Sequence, residues 1–104
     1  MALSGVHFEW RQQLKGSANG APVLGLLQAA ETLSSLGTTT TQAPVGDNAS
    51  NPICNVIASA DSWVTFGASP VDPSSATATR AFVAASTPTP FFVNPGDKAR
   101  WVTA

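Results

Sequence analysis

The chain reads as an all-β domain: a small antiparallel β-sandwich or barrel, jelly-roll-like arrangements included, with at most one short helix. Three observations predict this. From Ile53 onward, short β-prone runs (ICNVIA, WVTF, RAFVAA, FFV, KARWVT) are separated by Gly, Pro, Asn and Asp turn signals. Near the start, Val6, Phe8 and Trp10 alternate with His7, Glu9 and Arg11, a period of two that gives a strand one apolar face. Between these regions the run Thr38-Thr39-Thr40-Thr41 favours extended backbone, because β-branched side chains are stiff at χ1.

Each element follows from its residues. Residues 1–20 form an N-terminal strand that the turn-rich KGSANG ends, and this segment is either the first strand of the sandwich or a docking arm. Residues 21–104 form the β-sandwich domain. The stretch 22–36 is ambiguous. Pro22, Leu26, Ala30, Leu33 and a Gly37 stop suit a short helix, Gly25 counts against one, and two short strands over 23–28 and 32–36 are favoured. Residues 43–52 are a polar loop whose Asn48-Ala49-Ser50 triplet fits a glycosylation acceptor only by coincidence. Strands follow over 53–58 and 63–66, the second closed by Gly67. Val64 and Phe66 share one face, and Trp63 and Thr65 share the other. Aromatics on both faces predict a strand covered on both sides, with Trp63 in the core. The Ser/Thr-rich loop 69–79 is expected to be a mobile tip. Residues 80–85 and 91–93 are short strands flanking the polyproline-like STPTP. Asn94-Pro95-Gly96-Asp97 is a tight turn before a last strand over 98–103.

Composition limits the core and the partners. At 104 residues there is room for one domain. The hydrophobic fraction of 43% includes 17 alanines, leaving 27 larger apolar side chains, and so thin a core favours a chain that gains stability by assembly. Charged residues are 11% of the chain, against about 25% in an average domain. A net charge of −1 without a basic stripe gives no footprint for nucleic acid. A weakly charged Ser/Thr/Ala surface is poorly protected against association, so part of it is expected to be an interface. The N-terminal apolar stretch is short and broken by Glu9, Arg11 and Lys15. No run reaches the ~20 apolar residues that span a bilayer, so a soluble chain without membrane contact is expected.

Catalytic chemistry has no foothold in the residues, and no enzyme activity is expected. Cys54 is the only cysteine, so no intramolecular disulfide forms, and its β-prone setting predicts a buried thiol. His7 is the only histidine and falls on a polar face, so a solvated role is expected there. Ser and Thr are abundant but lack a neighbouring base. The six carboxylates, Glu9, Glu31, Asp47, Asp61, Asp72 and Asp97, are scattered along the chain. No metal-ligand spacing and no phosphate-binding loop occur, so no metal and no cofactor are expected. Trp10 and Trp101, near the two ends of the chain, stand open between core and surface.

Beyond these residue-level readings, the second half of the chain resembles a group of small bacteriophage and prophage virion proteins. The resemblance rests on VIASADSWVTFGASP, on RAFVAASTPTPFFVNPGDKARWV, and on Gly37-Thr38-Thr39 leading to an Ala43-Pro44 loop. It covers about half to two-thirds of the chain, its motifs are structural, and the first 30 residues carry none of it. It implies a non-enzymatic part of a phage particle, most simply a capsid decoration (cement) protein. Such a protein is made in the host bacterial cytoplasm and sits on the capsid surface. It binds the major capsid protein or other virion proteins across capsomer seams as a homo-oligomer, with a trimer favoured by threefold positions. A tail, connector or fibre component is the alternative within the virion. A carbohydrate-binding module with Trp63 or Trp101 exposed is the alternative outside it. Phe8, Trp10 and Trp101 are the candidate interface residues, Phe8 and Trp10 through a docking arm.

Overall fold

A computed structural model describes residues 3–13, 24–44 and 52–104. These hold eight strands and no helix: β1 (Val6–Gln13), β2 (Leu24–Leu33), β3 (Gly37–Thr38), β4 (Ile53–Ala58), β5 (Ser62–Gly67), β6 (Ala81–Val83), β7 (Thr89–Phe92) and β8 (Lys98–Thr103). They form two four-stranded sheets, β2-β1-β4-β7 and β3-β8-β5-β6, antiparallel throughout. The predicted sandwich is therefore the observed fold.

The pairing has a nested order. β5 pairs with β6, β4 with β7, β3 with β8, and β2 with β1. Wrapped hairpins of this kind make a jelly roll. Here the strand that closes the nest, β1, comes from the N-terminus and lies between β2 and β4. Both described chain ends consequently meet at the β4–β5 turn. Gly5 N–H donates to Ser59 Oγ (3.0 Å), Ser59 N–H to the Gly5 carbonyl (2.9 Å), and Ala104 N–H to the Asp61 carbonyl (2.9 Å). Gly5 has φ +89°, and a Cβ there would collide with the backbone of Leu33 and Ser34, so only glycine allows β1 to start against the end of β2.

The core is what the period-two patterns place between the sheets. Val6, Phe8 and Trp10 of β1 and Cys54, Val56 and Ala58 of β4 face Val64, Val83, Ala99 and Trp101 of the other sheet. Phe66 and Phe91 close one flank, with ring centroids 5.2 Å apart. After β3 the chain follows β8: Thr39 N–H donates to Ala99 O (2.8 Å) and Ala43 N–H to Asp97 O (2.8 Å). It thereby reaches the 94–97 turn, where Gly96 at φ +86° follows Pro95 and Asp97 N–H returns to Asn94 O (3.0 Å). That is the type II geometry which Pro followed by Gly prescribes.

One expectation needs correcting. Residues 24–33 are neither a helix nor part of two strands but one ten-residue strand. Pairing with β1 from Val6↔Leu33 to Trp10↔Ala29 holds it extended, and the register shift that follows lets it continue where a regular ladder would break. Residues 22 and 23, and the Asn48-Ala49-Ser50 triplet, lie outside the described residues. Of the two readings left open for residues 1–20, the strand is the one observed: Val6–Gln13 is a central strand of its sheet. The 69–79 loop is largely exposed but anchored at points along its length. Thr65 Oγ1 donates to Val71 O (2.6 Å), Arg80 Nη1 donates to Pro73 O (3.1 Å), and Pro73 is fully buried.

Candidate interaction surface

The interface residues chosen from the sequence are core residues. Phe8 and Trp10 are 0% exposed and Trp101 is 6% exposed. Each sits on the inward phase of its strand, so none of the three presents a surface. Trp10 also has its polar edge satisfied inside: Nε1 donates to Thr41 Oγ1 at 2.7 Å. Trp101 Nε1 is buried and has no hydrogen-bond partner among the described residues. The two sheets have to enclose something large, and period-two alternation turned the tryptophans near the ends inward.

Trp63, expected in the core, is the tryptophan on an outer face. It is half-buried, on the opposite phase of β5 from Val64. Its cross-strand neighbours are Phe82 on β6 and Val102 on β8. The Trp63 and Phe82 rings meet edge to face, 5.3 Å between centroids at 69°. Arg80 lays its guanidinium over the Trp63 ring, Cζ 3.9 Å from the centroid. Phe82 itself is 48% exposed. Lys98 and Arg100 take the same outward phase on β8 as Val102, and Arg100 pairs with Asp72 at 3.5 Å. Arg80 is thus the cation on the aromatic pair, while Arg100 and Lys98 extend the same face along β8 opposite Thr65 and Gly67. The alternation of Arg80 with Phe82 carried this signal, but without the pairing of Phe82 to Trp63 it could not be tied to one face.

Beside this patch the 69–79 loop and β5 border an open cleft of about 580 Å³, lined by Thr65, Phe66, Val71, Asp72, Thr77 and Thr79 among others. Its hydroxyls are engaged locally, Thr65 with Val71 O and Thr77 with Ser75. Hydrogen bonds from Ser74 hold the Asp72 carboxyl below its ordinary range, helped by the Arg100 charge. The cleft therefore offers a partner hydroxyls and one carboxylate, with the Ser74 hydroxyl itself bonded to Asp72.

The opposite face of the molecule carries a polar network centred on Glu9. Glu9 contacts His7 Nε2 (3.3 Å), accepts from Arg11 Nη2 (3.1 Å) and accepts from Asn55 Nδ2 (3.3 Å). His7 Nδ1 reaches Thr32 Oγ1 at 2.7 Å. Burial alone would push the Glu9 carboxyl up, but hydrogen bonds from Asn55 and Arg11 and the Arg11 charge hold it low. Among the described residues no group of three or more His, Cys, Asp or Glu side chains could hold a metal ion. Cys54 is buried, and burial pushes its thiol well above the ordinary range.

Iodide is expected to quench Trp63 alone, leaving the Trp10 and Trp101 emission intact, and Trp63→Phe should remove the quenchable component. Quenching of all three tryptophans would contradict this core and favour a sugar-stacking face. No protein-family model, curated protein or solved structure matches the chain.

Proposed function

We propose that this chain is a non-enzymatic structural component of a bacteriophage particle, a capsid decoration protein that stabilises the head by binding across capsid subunits. The observation that carries the reading is where the virion-like motifs fall. ADSWVTFG is the β4–β5 turn with β5, and NPGDKARWV is the type II turn with β8. These are the scaffold segments of a two-sheet sandwich, and such motifs serve a protein whose work is to hold shape. The outer face around Trp63, Arg80 and Phe82 supports the same reading. Aromatic and arginine side chains at the centre of a patch are what protein interfaces use as anchors. The partners in this reading are the major capsid protein or other virion proteins, and the location is the capsid surface.

The carbohydrate-binding alternative is less well supported, because the one accessible tryptophan already has Arg80 over its ring. Counting copies in purified particles by quantitative mass spectrometry tests the proposal. Hundreds of copies per particle are expected. About a dozen or fewer would move the protein to the tail or connector, and absence from particles would overturn the virion assignment.

A further inference from the structure

The two sheets have four edge strands, and three of them are protected. β3 has two residues, β6 has three, and β7 has four with Pro90 among them. Short edges and edge prolines are the usual devices against unwanted strand pairing. β2 has neither. It runs ten residues, LGLLQAAETL, with no proline and no lysine or arginine. Among the described residues only β1 pairs with it, and no described strand lies along its other edge. Leu27, Gln28, Ala30 and Thr32 are exposed along it, Leu27 to 45%. Alternate residues of such a strand direct N–H and C=O groups away from the sheet.

We infer that the outer edge of β2 pairs antiparallel with β2 of a second copy of this chain, joining the two β2-β1-β4-β7 sheets into one eight-stranded sheet across a two-fold axis. The charge pattern selects a second copy. The only charge on β2 is Glu31, and its carboxylate is turned inward to Thr40 and Thr41, accepting from both backbone N–H groups at 2.9 Å. Two copies therefore meet without the like-charge repulsion that disfavours strand self-pairing. A two-fold axis at Ala30 sets Glu31 opposite Ala29 of the mate and keeps the two carboxylates apart. The small side chains of Ala29 and Ala30 leave room for close approach. The contact is isologous, so it closes at two copies and uses up the edge that would otherwise recruit further chains. A single strand pair is a small interface, so dissociation is expected in the micromolar range, about 1–100 μM.

The isolated full-length chain tests this, independently of whether the protein belongs to a particle. Light scattering and sedimentation equilibrium should give a concentration-dependent mass rising to twice the 10.6 kDa protomer. Gln28→Lys/Ala30→Lys, which places like charges across the two-fold, should weaken dimerisation about a hundredfold. The far-UV spectrum should stay unchanged, because both side chains are exposed. Phe92→Lys on the β7 edge should leave the dimer intact. Amide exchange on the unmodified chain needs no substitution: alternate β2 amides should be protected at high concentration and lose that protection on dilution. A monomer at all concentrations, a trimer, or a dimer that survives the lysine pair with unprotected β2 amides would overturn the inference.

Discussion

Trp10→Ala is expected to be the most damaging single substitution in this chain, with a loss of about 3–5 kcal/mol. Trp10 is fully buried among Phe8, Cys54, Val56 and Trp101 at the centre of the sandwich. Removing it leaves a cavity that a thin, alanine-rich core cannot refill. Small domains have only about 5–15 kcal/mol of stability in all. At roughly 4–8 °C per kcal/mol for a domain near this size, the melting midpoint should fall by about 15–30 °C in a circular-dichroism melt. Trp10→Phe keeps most of the packing and loses the Nε1 bond to Thr41, so about 1–2 kcal/mol is expected. Trp63→Ala, made at a half-buried site, should cost less than Trp10→Ala. A Trp10→Ala variant melting within a few degrees of the parent would refute this placement of the core.

Glu31→Ala carries the second large effect, a loss of about 1–3 kcal/mol at neutral pH. The Glu31 carboxylate accepts from Thr40 N–H, Thr41 N–H, Thr40 Oγ1 and Thr41 Oγ1, at 2.8 to 3.2 Å. Thr41 Oγ1 also receives Trp10 Nε1, so Glu31, Thr41 and Trp10 form one chain of hydrogen bonds tying β2 to β1 and to the segment after β3. Burial pushes the Glu31 carboxyl up, but the bonds from Thr41 and Thr40 outweigh it and hold it below the ordinary glutamate value. A carboxyl depressed in the folded state contributes stability above its unfolded pKa, and that contribution is lost as pH falls through the folded value. Glu31→Gln should therefore be less stable than the parent at neutral pH, with the gap narrowing below about pH 4. Urea titrations at several pH values measure it, and a gap that stays constant with pH would sink the account. The Glu9 carboxyl is also held low, so the acid limb will flatten without disappearing. A double-mutant cycle between Trp10→Phe and Glu31→Gln should show coupling, since both act through the Thr41 hydroxyl.

How far the residues alone reached varies with how local the cause is. Strands β4 and β8 fall where their β-prone runs and turn signals place them, and the 94–97 turn follows from Pro95 and Gly96. β2 was ambiguous because a ten-residue run with Gly25 and two alanines has no clean period. Its extended form comes from pairing with β1. The interface residues were misjudged for a related reason. Nearness to a chain end does not predict exposure when that end is folded in as a central strand, as Val6–Gln13 is. The role of Glu31 left no mark in the sequence, because its partners, nine and ten residues away, belong to the other side of the sandwich.

By itself, then, the sequence determined a small all-β domain with period-two strands, a thin core and low charge. These are properties of neighbouring residues and of composition, and backbone sterics and side-chain polarity act on them locally. Only the tertiary structure decided which phase of each strand faces inward, and so which tryptophan meets solvent. It also decided that β1 closes the nest of hairpins from the N-terminal side, bringing Gly5 and Ala104 to the same turn. And, among the described residues, it left β2 as the long edge with no strand beside it. Each of these depends on which strands become neighbours. That choice is made by two sheets burying their apolar faces against each other, over separations that no local pattern encodes.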